Sequence, residues 1–160
     1  MGIDFNICEI FDIANELEKN RAAFFTRVAD KFGDKKIKDA LLEIAGQDNY
    51  NANIFARLKA GFSDAECPAT VFDPDNADHL YLKVMAEDHV CNFDACKNLL
   101  GNETLQDILK MVIRMEKDAV VFYTGLKSFV SKNNQENVDL IIQEKLKSIG
   151  VISKKLSEME

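Results

Sequence analysis

The chain has 160 residues and a net charge of −7, enough length for one domain with a buried core. Acidity without a basic stripe excludes nucleic acid and an anionic membrane surface as expected partners. No apolar run reaches the roughly 18 residues of a membrane span, and the start, Met1-Gly2-Ile3-Asp4, lacks the basic and apolar regions of an export signal. A cytoplasmic protein with reduced thiols is therefore expected.

Two prolines and seven glycines are few breakers for this length, and the segments between them are periodic, so the chain is expected to be all-α. Asn6, with Glu9 three residues on, has the pattern of a capping box. A 3.6-residue repeat follows through Ile10, Ala14, Leu17, Phe24 and Val28 and predicts a first helix stopping at Gly33. Asp34 is placed to cap a second helix through Leu41, Ile44, Phe55 and Leu58 to Gly61. So short a connection makes the two helices antiparallel neighbours.

Residues 62–103 hold both prolines, in Cys67-Pro68 and Asp73-Pro74-Asp75-Asn76. The stretch is too long for a structureless loop in a compact domain. It is expected to be a crossover with a shorter helix over about Ala77 to Ala86 and a further turn or two from Asp94 to Leu100. Four cysteines occur, at 8, 67, 91 and 96, with no Cys-x-x-Cys pair, which excludes a zinc ribbon or a rubredoxin-type site. Cys91 and Cys96 are expected to be packing residues. Thr104 with Asp107 starts a third long helix ending near Lys132-Asn133-Asn134, and a fourth runs from about Gln135 to the C-terminus. Two helical hairpins joined by one long crossover form the ferritin-like variant of the four-helix bundle, here as a single domain over residues 1–160.

Each long helix carries one ionisable residue at the centre of its apolar stripe. Glu18 lies among Phe11, Ala14, Ala22 and Phe25, Asp48 among Leu41, Ile44, Ala52 and Phe55. Glu116 lies among Leu109, Val112, Val120 and Tyr123, and Lys145 among Val138, Ile141, Ile149 and Ile152. Offsets of four and seven residues share one helix face. One buried charge can reach water by stretching its stem; four at equivalent places point to a shared interior polar site.

Glu18-Lys19-Asn20 with Phe24-Phe25, and Glu116-Lys117-Asp118 with Phe122-Tyr123, resemble the corresponding helices of rubrerythrin-like proteins. Segments Ile44 to Phe55 and Ile141 onward resemble that family's second and fourth helices, and Tyr81-Leu82-Lys83 falls in the crossover. The resemblance implies a di-iron site made of one glutamate from the first and third helices and Glu-x-x-His from the second and fourth. Glu18 and Glu116 match the lone glutamates. Asp48 and Asn51 stand at one Glu-x-x-His, and Lys145 and Ser148 at the other. Phe25 stands where the family has tyrosine, which Tyr123 keeps. The only histidines, His79 and His89, lie in the crossover.

An ammonium cannot ligate a metal and repels a cation beside it, so a standard di-iron centre is not expected. The expected arrangement has the Lys145 ammonium in the space of a metal, paired with one or more of Glu18, Asp48 and Glu116, and one carboxylate protonated or hydrated. Functionally this implies a non-catalytic structural or interaction module, without a cofactor and homodimeric as the resemblance suggests. The alternative is a metal-binding oxidoreductase or peroxide-stress protein whose reduced site holds one Fe, Mn or Zn ion on Glu18, Asp48 and Glu116. A third reading has the residual cavity taking a small organic ligand.

Overall fold

The computed structural model describes residues 6–67, 99–128 and 130–159. Helix α1 spans Ile7–Ala29 and α2 Lys35–Ala60; α3 spans Leu105–Lys127 and, after a 3-10 turn at Lys132–Asn134, α4 spans Gln135–Ser157. Their starts are set by the expected side chains. Asn6 accepts from the Glu9 amide while the Glu9 carboxylate accepts from the Asn6 amide, and Thr104 and Asp107 form the same reciprocal pair. Asp34 accepts from the Lys36 amide.

Two helix ends differ from expectation. Helix α1 stops at Ala29, a turn before Gly33, because the amides of Asp30, Lys31 and Phe32 each bond three residues back and tighten the last turn. Helix α3 stops at Lys127, where the Ser128 hydroxyl donates to the Gly125 carbonyl and the chain turns Val130 into the core. The crossover helix, Cys91, Cys96, His79 and His89 lie outside the described residues.

The closest helix pairs are α1 with α2 and α3 with α4, the two antiparallel hairpins. The chain leaves α2 at one end of the bundle and enters α3 at the other. Just before α3, Gly101 adopts φ 89° and a Cβ there would stand 3.0 Å from the Lys31 carbonyl oxygen. Only glycine fits both the left-handed backbone and this approach to the α1–α2 turn.

The core is divided. One apolar cluster holds Ile7 to Leu17 of α1 with Phe55, Tyr123, Val138 and Ile141. The other holds Ala22 to Val28 with Leu41, Val112, Met115 and Ile152. Between them lies a layer of buried polar residues from all four helices.

Cys8 and Cys67 are joined in a disulfide, their Cα atoms 5.6 Å apart. This corrects the expectation of free thiols at these two positions. The first turn of α1 and the segment beyond α2 come side by side, which the linear spacing of the cysteines does not display.

Candidate functional site: a buried layer of carboxylates and cations

Glu18 and Arg21 of α1, Asp48 and Asn51 of α2, Glu116 of α3 and Lys145 of α4 are each no more than 2% exposed. Glu18, Glu116 and Lys145 lie four residues after Ala14, Val112 and Ile141, and Asp48 seven after Leu41, so the helical repeat that buries those apolar residues carries the polar groups inward; Arg21 and Asn51 each lie three residues after Glu18 and Asp48.

The two cations reach across the bundle in opposite directions. The Arg21 guanidinium donates from Nη2 to Glu116 Oε1 at 2.6 Å, and its Nε lies 3.5 Å from Asp48 Oδ2. The Lys145 ammonium contacts Glu18 Oε1 and lies 3.6 Å from Glu116 Oε2. Thus Lys145 points inward, as expected, with Glu18 and Glu116 as its partners; Asp48 faces Arg21 instead. Asn51 donates to Glu18 Oε2 at 3.4 Å and accepts from the Gln47 side chain at 3.1 Å. Ser148 stands apart from this network, half-buried on the wall of an adjacent cavity.

Arg21 is the member of this buried layer that the stripe pattern did not single out. It lies three residues after Glu18 and four before Phe25, which places it on the same face. Phe25 is more than filler: its ring lies 5.8 Å from the guanidinium carbon, within cation–π range.

Three carboxylates facing two fixed cations leave one negative charge in excess, and Asp48 is where the layer relieves it. Burial pushes its pKa up to about 7, with Glu18 and Glu116 adding to the effect against the pull of Arg21 and Lys145. Burial also works to raise Glu116, but Arg21 and Lys145 outweigh it and hold that carboxyl below its ordinary value. Arg21 is raised well above an ordinary arginine: desolvation opposes its charge, and Glu116, Asp48 and Glu18 together overcome that. The Tyr123 phenol, buried without a hydrogen-bond partner, is pushed well up by burial and by Glu18.

No protein-family model and no curated protein matches the chain. Among solved structures it is similar to a Thermotoga maritima protein described as a ferritin-like diiron-carboxylate protein, with 21% identity, a TM-score of 0.58 and full coverage of both chains. The fold is ferritin-like.

A di-iron group does not fit the residues that this chain brings to the centre of that fold. Two side-chain cations already stand among the three carboxylates, and repel a metal placed there. Asn51 and Ser148, at the positions where the sequence resemblance implies histidines, carry neutral oxygen groups. Among the described residues, no three His, Cys, Asp or Glu side chains are grouped so as to hold one metal ion.

Proposed function

We propose that this chain is a rubrerythrin-related protein of the ferritin-like fold in which Arg21 and Lys145 take over the charge that metals supply in its relatives. On this reading it is a structural or interaction module and not an oxidoreductase. The single observation that carries the reading is the reciprocal pairing of Arg21 with Glu116 and Lys145 with Glu18 at the bundle's centre. Each cation belongs to one hairpin and its contacting glutamate to the other. A metal cluster between four helices supplies such cross-links by ligation; here they are charge-assisted contacts. A fixed ammonium and guanidinium cannot change oxidation state or bind oxygen, so the layer holds the hairpins together without offering redox chemistry.

The test is the metal content of protein purified without chelator from iron-, manganese- and zinc-supplemented cells. The expected outcome is far less than one equivalent of any transition metal per chain. About one equivalent that is lost in Asp48→Asn would favour the carboxylate-only site on Glu18, Asp48 and Glu116 instead.

A further inference from the structure

A cavity of about 270 Å³ lies beside the polar layer, between α2, α3 and α4. Helix α2 approaches α3 and α4 less closely than it approaches α1, and the cavity occupies that separation. Its apolar wall is made by Ile44 of α2, Leu109 of α3 and Ile152 of α4, the last two buried. Val151, 58% exposed, stands at its mouth.

The charges on the lining are already matched. Asp48 and Glu116 are no more than 2% exposed and face Arg21 and Lys145, so their charge is answered inside the layer. Glu43 pairs with Lys155, and Glu144 with Lys147 at 2.7 Å. An ion of either sign would leave water here without meeting a free counter-charge, a transfer that is unfavourable for a charge and favourable for an apolar chain. Two neutral polar groups also belong to the wall. Ser148 brings a half-buried hydroxyl, and Gln47, whose amide donates to Asn51 at 3.1 Å, brings a side-chain carbonyl. One donates and the other accepts, which is the complement of a single hydroxyl group.

We propose that this cavity binds an uncharged aliphatic alcohol of about six to eight carbons, its chain against Ile44, Leu109 and Ile152 and its hydroxyl at Ser148 and Gln47. An apolar cavity of about 150 Å³ takes benzene, so the larger volume here suits a chain somewhat longer than that ring. Apolar walls with a few polar groups that fix orientation are the usual make-up of a small-molecule pocket. The site goes beyond the structural role of the layer but rests on its metal-free reading, in which Asp48 and Glu116 turn their charge to side-chain cations.

Calorimetric titration of protein whose metal content has been measured would compare 1-hexanol with hexylammonium and hexanoate. Expected is one saturable site for 1-hexanol, with both ions weaker by about tenfold or more. Affinity should rise about fourfold with each methylene from 1-butanol to 1-hexanol, as the chain leaves water for the apolar wall. Ser148→Ala should weaken 1-hexanol about fivefold. Val151→Asp, which sets a charge at the exposed mouth and leaves the core intact, should weaken it about tenfold without lowering the melting temperature. Either ion binding as tightly as 1-hexanol, an affinity independent of chain length, or 1-hexanol binding unchanged in both variants overturns the proposal. Failure of metal-free protein to bind 1-hexanol overturns this proposal alone; stoichiometric metal in the purified protein overturns the metal-free reading and this proposal with it.

Discussion

The two hairpins carry the same glutamate in different company. In α1, Glu18 is followed by Arg21 and Phe25; in α3, Glu116 is followed by Ala119 and Tyr123. In α2 the paired positions are Asp48 and Asn51; in α4 they are Lys145 and Ser148. The first hairpin puts its cation beside its own glutamate, on the helix that holds both. The second puts its cation on the partner helix. Each cation then satisfies the glutamate of the opposite hairpin. Each hairpin thus supplies the cation that contacts the other's glutamate, across an interface where the helix backbones approach less closely than they do within a hairpin.

Removing one of these cations should have the largest effect. Arg21→Ala leaves Glu116 and Asp48 buried beside one ammonium, and stranded buried charges cost about 3–5 kcal/mol, read as a lowered midpoint in urea. The double variant Arg21→Met, Glu116→Leu should recover part of that loss, because Glu116 is no longer stranded and Asp48, which loses its cation, is already driven toward its neutral form by burial. A double variant as unstable as Arg21→Ala would contradict the pairing.

The disulfide is a second asymmetry. It ties Cys8 of the first hairpin to Cys67 across 59 residues, and the described residues of the second hairpin hold no counterpart. Closing a loop of this length stabilises by about 2–4 kcal/mol, so dithiothreitol or Cys8→Ser should lower the melting temperature. Amide exchange should then accelerate first in α1 and α2.

The third expectation concerns pH. Because the folded-state pKa of Asp48 is raised to about 7, the folded protein binds its proton more tightly than the unfolded chain does. The resulting stabilisation is complete below the unfolded value near 3.8 and is lost as pH rises through about 7. Stability should therefore fall between about pH 5 and 7, with a slope on the order of 1 kcal/mol per pH unit, and level off above; Asp48→Asn should flatten it. Glu116 acts oppositely, but its stabilisation is lost only as pH falls below the ordinary glutamate range, outside this window. The smallest effect is expected at Phe25→Leu, about 1–2 kcal/mol from lost ring packing and the cation–π contact with Arg21.

Much of this layer was legible in the sequence. Glu18, Asp48, Glu116 and Lys145 stand out because four and seven residues to either side of each are apolar or aromatic, and a helix turns those offsets onto one face. Arg21 was hidden because a long arginine near a stripe usually stretches to water, and its partners are on other helices. The pairing of Lys145 with Glu18 and not Asp48 depends on how the helices are rotated, which periodicity does not fix. The cavity is a matter of helix separation, and the meeting of Cys8 with Cys67 a matter of where the chain leaves α2. Capping boxes at Asn6 and Thr104 were legible because they are local. The ends of α1 and α3 were less so, since Gly33 and Asn133 are permissive stops and not obligatory ones.

On the proposed reading, two side-chain cations do the work of metals in holding four helices around one polar centre. An anaerobic titration of ferrous iron into the native protein and into the variant Arg21→Ala, Asn51→His, Lys145→Glu, Ser148→His tests it most directly. The native protein should take up no iron, and the variant should bind it and melt at a higher temperature when loaded. Two equivalents bound by the native protein, with Arg21 and Lys145 in place, would contradict the account.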